Sequence, residues 1–154
     1  MWVYFFAYGH NMNEANLHRL GIIPQERRGA VLRDFRLVFN KLGARPGEGY
    51  ANIAPEPGAR VEGVLYTLRA EDLERLDLAV GAPHAYERHR VTVETAEGEA
   101  VSAYAYRANP AMVRPGLKPS LAYLMELLSA RAFLSSAYVQ ELENAETLEG
   151  LSRA

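Results

Sequence analysis

Residues 4–12 are the part of this sequence best suited to chemistry. Their sequence, YFFAYGHNM, is typical of a buried strand that breaks at Gly9 into a tight polar loop followed by a short helix. Backbone N–H groups at such a junction point outward, so they can receive a carboxylate, a carbonyl oxygen or a phosphate. The loop therefore predicts a site for a small polar ligand.

Composition narrows the classes of partner. The chain has 154 residues, 49% hydrophobic and 23% charged, and this balance predicts one globular domain over residues 1–154. A net charge of −2 gives no bulk positive field for nucleic acid or an anionic membrane, so neither is an expected partner. The lack of cysteine excludes disulfides and thiolate metal sites, and we predict neither a metal ion nor a cofactor.

The start of the chain and its hydropathy predict a cytoplasmic protein. Residues 1–6 lack the basic start and the length of a signal peptide. No run of about 18 apolar residues is present, as a membrane-spanning helix would need. The sequence leaves the oligomeric state open, a homodimer included.

The order of the elements favours an α+β fold over alternating βαβ units. Alternation and turn residues predict strands over 3–7, one or two within 29–39, 50–54 (ended by Pro55 and Pro57), 61–68, and a hairpin of 86–95 with 100–107. Helical spacing and capping residues predict helices over 14–20, capped by Asn13, over 70–80, after Ser120, and over about 135–143.

Five motifs, in order along most of the chain, resemble those of the γ-glutamylcyclotransferase superfamily. Residues 6–12 (FAYGHNM) resemble its F-A-Y-G-S-N-L/M signature, and residues 61–66 (VEGVLY) resemble a strand of the family. Residues 76–81 (LDLAVG) are similar to its L-D-x-x-E-G helix end, and residues 86–93 (YERHRVTV) to its Y-x-R-x-x-V-x-V strand. Tyr106 and residues 119–142 match the remainder of the pattern.

The resemblance implies a small, mostly antiparallel barrel-like sheet with peripheral helices and a cavity that opens at the loop of residues 8–12. Enzymes of the superfamily release 5-oxoproline from γ-glutamyl peptides or amines. In that reaction the α-amine of the substrate attacks its own γ-amide carbonyl, and the distal amine leaves. A general acid–base must take a proton from the attacking ammonium and pass one to the leaving amine.

In the family that proton-transfer role belongs to the glutamate of L-D-x-x-E-G, and Val80 occupies this position here. Valine cannot transfer a proton, and general acid–base catalysis is typically worth about 10²–10⁴ in rate. The sequence therefore leaves open whether the protein is catalytically active.

His10 stands where the family signature has a serine, and two interpretations are open for it. As a substitute base, its imidazole would titrate near neutral pH beside the loop. Otherwise it caps the loop or contacts solvent. Two carboxylates are weaker substitutes: Asp77 is expected to be structural, and Glu87 should face away from Tyr86 along its strand.

The sequence thus predicts a cavity for an amino-acid-derived small molecule, a γ-glutamyl or related amide, with release of 5-oxoproline through a non-standard base. The alternative is an inactive family member that binds a small molecule or a protein partner, and a third hypothesis is that only the fold is retained. The residues predicted to contact ligand are Tyr8, Gly9, His10, Asn11, Met12, Val80, Tyr86 and Tyr106.

Overall fold

The computed structural model describes residues 1–151 and contains seven strands and four α-helices in that range. The strands are β1 Trp2–Ala7, β2 Glu26–Leu42, β3 Gly49–Arg69, β4 Tyr86–Thr95, β5 Ala100–Ala108, β6 Glu146–Thr147 and β7 Gly150–Leu151. The helices are α1 Glu14–Arg19, α2 Asp72–Val80, α3 Leu121–Leu128 and α4 Ser136–Glu143. Short 3₁₀ helices cover His10–Met12, Pro110–Met112 and Arg131–Phe133.

Five of the strands form a closed barrel in the order β1-β3-β2-β4-β5. The neighbours β1–β3, β2–β3, β2–β4 and β4–β5 are antiparallel. The barrel is completed by β1 and β5, which run parallel and pair at Phe5 and Tyr104. The predicted α+β fold, a mostly antiparallel barrel with helices around it, is confirmed.

The prediction of separate strands over 50–54 and 61–68 was wrong, because β3 runs without a break through Pro55 and Pro57. Pro55 pairs with Phe35 beside a shift in the β2–β3 register. At that shift Asp34 has a positive φ of 66°, and its carboxylate accepts a hydrogen bond from the Gly58 N–H at 3.0 Å. Proline is tolerated at such irregular positions because no ladder hydrogen bond is lost there.

The hydrophobic core has two parts because successive strand residues point to opposite faces of the sheet. One part fills the barrel and consists of strand residues and the loop residue Tyr8, with Phe6, Leu65 and Ile53 among its members. The other lies between the outer face of the strands and the helices, and includes Phe5 and Leu124. Phe5 and Phe6, which are adjacent in the sequence, therefore pack in different parts of the core.

A buried carboxylate joins α4 to the barrel. Glu62 on β3 is only 6% exposed and accepts hydrogen bonds from the Ser135 N–H and hydroxyl, both at 2.7 Å, and from Arg60 Nε at 2.9 Å. Burial alone would raise the pKa of Glu62, but the hydrogen bonds from Ser135 and Arg60 outweigh it and lower that pKa.

The lowered pKa of Glu62 predicts a loss of stability in acid. A carboxyl whose folded pKa is depressed stabilises the fold above its unfolded pKa, about 4.3, and this stability is lost as the pH falls through the folded value. We expect Glu62→Gln to be less stable than wild type by about 1–3 kcal/mol at pH 7. Denaturant unfolding should show the difference in free energy of unfolding between the two proteins becoming smaller towards pH 3. A difference that does not change with pH would contradict this explanation.

No helix within residues 1–151 has the length and apolar character needed to cross a membrane.

Candidate active site

The loop after β1 forms one turn of 3₁₀ helix that is anchored through its carbonyl groups. The Met12 N–H donates to the Gly9 carbonyl at 3.0 Å. The buried Tyr66 hydroxyl donates to the carbonyl oxygens of Asn11 and Met12 at 2.8 and 3.0 Å. A further bond runs from the Asn16 amide to the His10 carbonyl at 2.8 Å. These bonds fix the loop from the side of its carbonyls.

Of the N–H groups at the start of this turn, the Asn11 N–H is left for a ligand, because the His10 N–H already faces a protein acceptor. The first N–H groups of a helix have no partner inside the helix. In this turn they are the N–H groups of His10 and Asn11. The His10 N–H faces the Tyr123 hydroxyl, which also accepts from the Ala51 N–H at 2.9 Å. The Asn11 side chain is only 9% exposed and makes no hydrogen bond within the part of the chain that the structure describes.

A cavity of about 150 Å³ opens beside the loop. It is smaller than the ~300–1,000 Å³ sites of drug-sized ligands and comparable to cavities that hold a molecule of about the size of benzene. The residues that line it are Phe5, Phe6, Ala7, Tyr8, Gly9, His10, Asn11, Lys41, Tyr50, Ala51, Ala79, Val80, Tyr86, Tyr106 and Tyr123. Its size suits the end of an amino-acid-derived molecule.

Seven of the eight residues predicted to contact ligand come together around this cavity: Tyr8, Gly9, His10, Asn11, Val80, Tyr86 and Tyr106. The exception is Met12, which is 2% exposed and packs in the core between strands and helices. The helical turn points the Met12 side chain away from the cavity, so its position gives no support to a ligand contact.

Three of the five tyrosine hydroxyls around the cavity donate to the protein itself. Tyr8 donates to the Tyr106 carbonyl at 2.5 Å, and Tyr86 donates to the Ala51 carbonyl at 2.8 Å. The Tyr106 hydroxyl donates to Asp77 Oδ1 at 2.6 Å. Burial raises the pKa of all three phenols far above the usual range, so they remain neutral. These three side chains hold the shape of the wall, and their hydroxyl protons are already used within the protein.

No aspartate or glutamate of residues 1–151 lines the cavity. Asp77 accepts the Tyr106 hydroxyl and forms an ion pair with Arg88 at 3.1 Å, so its carboxylate has structural partners. Glu87 lies outside the cavity and contacts His89 at 3.4 Å. Val80 does line it, at the last residue of α2 before the left-handed cap Gly81.

His10 is the one imidazole among the cavity-lining residues of the described chain. Its ring lies 6.1 Å from the Tyr123 ring, centroid to centroid. Burial lowers the pKa of His10, and the opposing effect of Glu126 is smaller. The neutral ring that results at pH 7 can accept a proton, although one side of the residue is exposed to solvent.

Sequence reasoning missed Lys41, which lines the same cavity and is only 9% exposed. A bulge in β2 positions it: Val38 pairs with Asn52 and Lys41 pairs with Tyr50, so two residues of β2 oppose Ala51 alone. The extra residue puts Lys41 on the opposite face from Leu37, where simple alternation would keep them together. The alternation of apolar and polar residues along β2 does not indicate this reversal.

Removing the Tyr66 hydroxyl tests the anchoring of the loop. Tyr66 is fully buried, and Tyr66→Phe would leave two loop carbonyls without their buried donor. We expect the free energy of unfolding to fall by about 1–3 kcal/mol. Tyr4→Phe, at a hydroxyl on an exposed residue, is the control and should unfold like wild type. Equal stability of the two variants would mean that these bonds do not hold the loop.

Comparison with known proteins places this chain in a family. The family model described as "Gamma-glutamyl cyclotransferase, AIG2-like" matches residues 5–124. The chain belongs to this family. The match runs from β1 into α3 and includes every residue that lines the cavity.

Individual proteins resemble the chain to different extents. It is 31% identical over 108 residues to "Gamma-glutamylcyclotransferase" of Bos taurus, which covers 67% of this chain and 57% of the bovine protein. A solved structure called "Gamma-glutamyl cyclotransferase" has a TM-score of 0.82 at 25% identity, covering 96% of this chain and 89% of its own. An uncharacterized protein from Homo sapiens also has a TM-score of 0.82, at 24% identity and over 95% and 89% of the two chains, a likeness of fold alone.

Proposed function

We propose that the cavity binds a γ-glutamyl amide or a related amino-acid-derived amide. The observation that carries the proposal is that the Asn11 backbone N–H and the buried Asn11 side-chain amide, neither of them hydrogen-bonded within residues 1–151, lie at one small cavity. Backbone donors of this kind can hold a carboxylate or the oxyanion that develops during attack on an amide. The family of the chain supports the same ligand class.

Cyclisation of such a ligand has three chemical requirements. The glutamyl chain must fold so that its amine reaches its own γ-carbonyl, which a cavity of about 150 Å³ favours by confinement. The carbonyl oxygen needs donors, which the loop offers. A base must take the proton of the ammonium, and among the lining residues His10 is the neutral group able to accept one.

Of the two functions open to this cavity, we propose binding with little or no turnover. The supporting observation is that Val80 lines the wall while the lining residues, all within the described range, include no carboxylate. Release of 5-oxoproline is the second candidate, and it would depend on His10.

The test combines binding and turnover on one set of ligands. Titration calorimetry with a γ-glutamyl amino acid, a γ-glutamyl amine and glutathione measures affinity, and the α-glutamyl isomers serve as controls. Ala79→Trp, which adds a large side chain to a lining residue of α2, should abolish binding while the protein stays folded. Ala137→Trp on α4, away from the cavity, should bind like wild type.

The outcomes separate the two functions. Binding of γ-glutamyl ligands without 5-oxoproline formation is the expected result. Turnover that disappears in His10→Ala would establish the enzymatic alternative instead. Failure of every γ-glutamyl ligand to bind, or binding that survives Ala79→Trp unchanged, would overturn the proposal.

A further inference from the structure

Lys41 brings a positive charge into the cavity wall without a protein counter-ion. The residue is only 9% exposed, and its ammonium forms no salt bridge or hydrogen bond with any of residues 1–151. The other lysine of the chain, Lys118, is exposed and forms an ion pair with Glu146 at 3.0 Å. Buried charges in proteins are normally paired, so the environment of Lys41 requires an explanation.

Two aromatic rings give the ammonium partial compensation. Lys41 Nζ lies 5.4 Å from the centre of the Tyr50 ring and 5.3 Å from that of Tyr86. Ring faces attract a cation and favour its charged form. Burial acts in the opposite direction and lowers the pKa of Lys41. The rings supply no hydrogen-bond acceptor of the strength of a carboxylate, so the three N–H donors of the ammonium still lack a charged partner.

The cavity therefore carries one positive side chain and no negative one. His10 is the other ionisable nitrogen in the wall, and the effect of burial on its pKa favours the neutral form. An anionic group on a ligand would be attracted, and a cationic group next to Lys41 would be repelled. A carboxylate suits an ammonium on a flexible stem because either oxygen can accept.

We infer that Lys41 binds the carboxylate of the ligand and thereby restricts the site to amides that carry one. The inference rests on the proposed function and narrows it: the free carboxylate becomes the group that the cavity selects. With the carboxylate at Lys41, the loop donors remain available for the carbonyl oxygen of the amide. A ligand whose carboxylate is converted to a neutral carboxamide loses its charged partner.

The preference for a carboxylate is measurable with two matched probes. They are γ-glutamyl methylamide and the same compound with its carboxylate replaced by a carboxamide. In wild type the carboxylate probe should bind roughly 10- to 100-fold more tightly, the usual range for a hydrogen bond to a charged group. Lys41→Met should remove most of this preference, and Lys41→Arg, which keeps the charge, should retain part of it.

Lys118→Met is the matched control because it removes the same charge from outside the cavity, and it should keep the full preference. A second readout does not depend on ligand. Lys41→Met removes a buried charge without a counter-ion, so the ligand-free variant should melt no lower than wild type.

Each result has one meaning. Loss of the preference in Lys41→Met, with Lys118→Met unchanged, supports the inference. A full preference for the carboxylate probe in Lys41→Met would overturn the role of Lys41 and leave the proposed function standing. If neither probe binds wild type, the proposed function fails, and this inference fails with it.

Discussion

Replacing Val80 by glutamate is expected to increase 5-oxoproline release from γ-glutamyl amides by roughly 10²- to 10⁴-fold, the usual contribution of general acid–base catalysis. Val80 lies at the end of α2 and its side chain already lines the cavity. Burial among aromatic groups raises the pKa of a carboxyl and opposes the lowering effect of the Lys41 ammonium in the same wall, which leaves a group that can both accept and donate a proton. The substitution would supply the one chemical group that the cavity wall lacks.

The measurement is steady-state formation of 5-oxoproline by wild type and Val80→Glu under the same conditions. Val80→Gln is the matched control, since it has a similar shape but cannot transfer a proton. It should be as slow as wild type. Equal turnover by all three proteins, once each is shown to be folded and to bind ligand, would contradict this assignment of the missing group.

Gly49→Ala is expected to lower the free energy of unfolding by about 3 kcal/mol or more, at the upper end of the usual cost of overpacking. A Cβ added at Gly49 would lie 2.0 Å from the Phe39 carbonyl oxygen and 2.8 Å from Leu117 Cβ. The Phe39 carbonyl belongs to the bulge of β2, and backbone cannot move aside as a side chain can. The melting temperature should fall by about 6–12 °C, since 1 kcal/mol corresponds to about 2–4 °C in a chain of this length.

Gly98→Ala is the control for this effect. Gly98 lies in the turn between β4 and β5, and apart from its chain neighbours no atom lies within 4 Å of its added Cβ. Its φ of 82° is unfavourable for alanine, so a loss of about 1–2 kcal/mol is expected from the backbone alone. If Gly49→Ala is no less stable than Gly98→Ala, the close approach in the bulge is not a constraint on this fold.

Local sequence patterns predict much of the fold because their signals are short-range. The Asn13 side chain accepts a hydrogen bond from the Ala15 N–H, and the Ser120 side chain accepts one from the Tyr123 N–H, as capping predicts. The strand over 86–95 has the predicted bounds, since its alternation and its turn residues agree. The family resemblance predicts a cavity at the loop of residues 8–12, and residues 8–11 do line one.

The features that the sequence does not predict depend on pairing between distant residues. The passage of β3 through Pro55 is permitted by a register shift opposite Asp34 and Phe35. The burial of Lys41 follows from a second shift in the same pair of strands. A charged residue near the end of a strand usually faces solvent. The position of Lys41 in the cavity wall therefore becomes evident only from the strand pairing in the barrel.

The central claim, that the loop and its cavity form the ligand site, is tested most directly by an NMR titration of the wild-type protein with γ-glutamyl methylamide. Following backbone amides in solution locates the bound ligand whether or not it is turned over. We expect the largest saturable shifts at the amides of residues 9–11. Amides of Ala59 and Ala145, which line a separate cavity, should not move. Saturable shifts centred on those two residues, with the loop unchanged, would contradict the account.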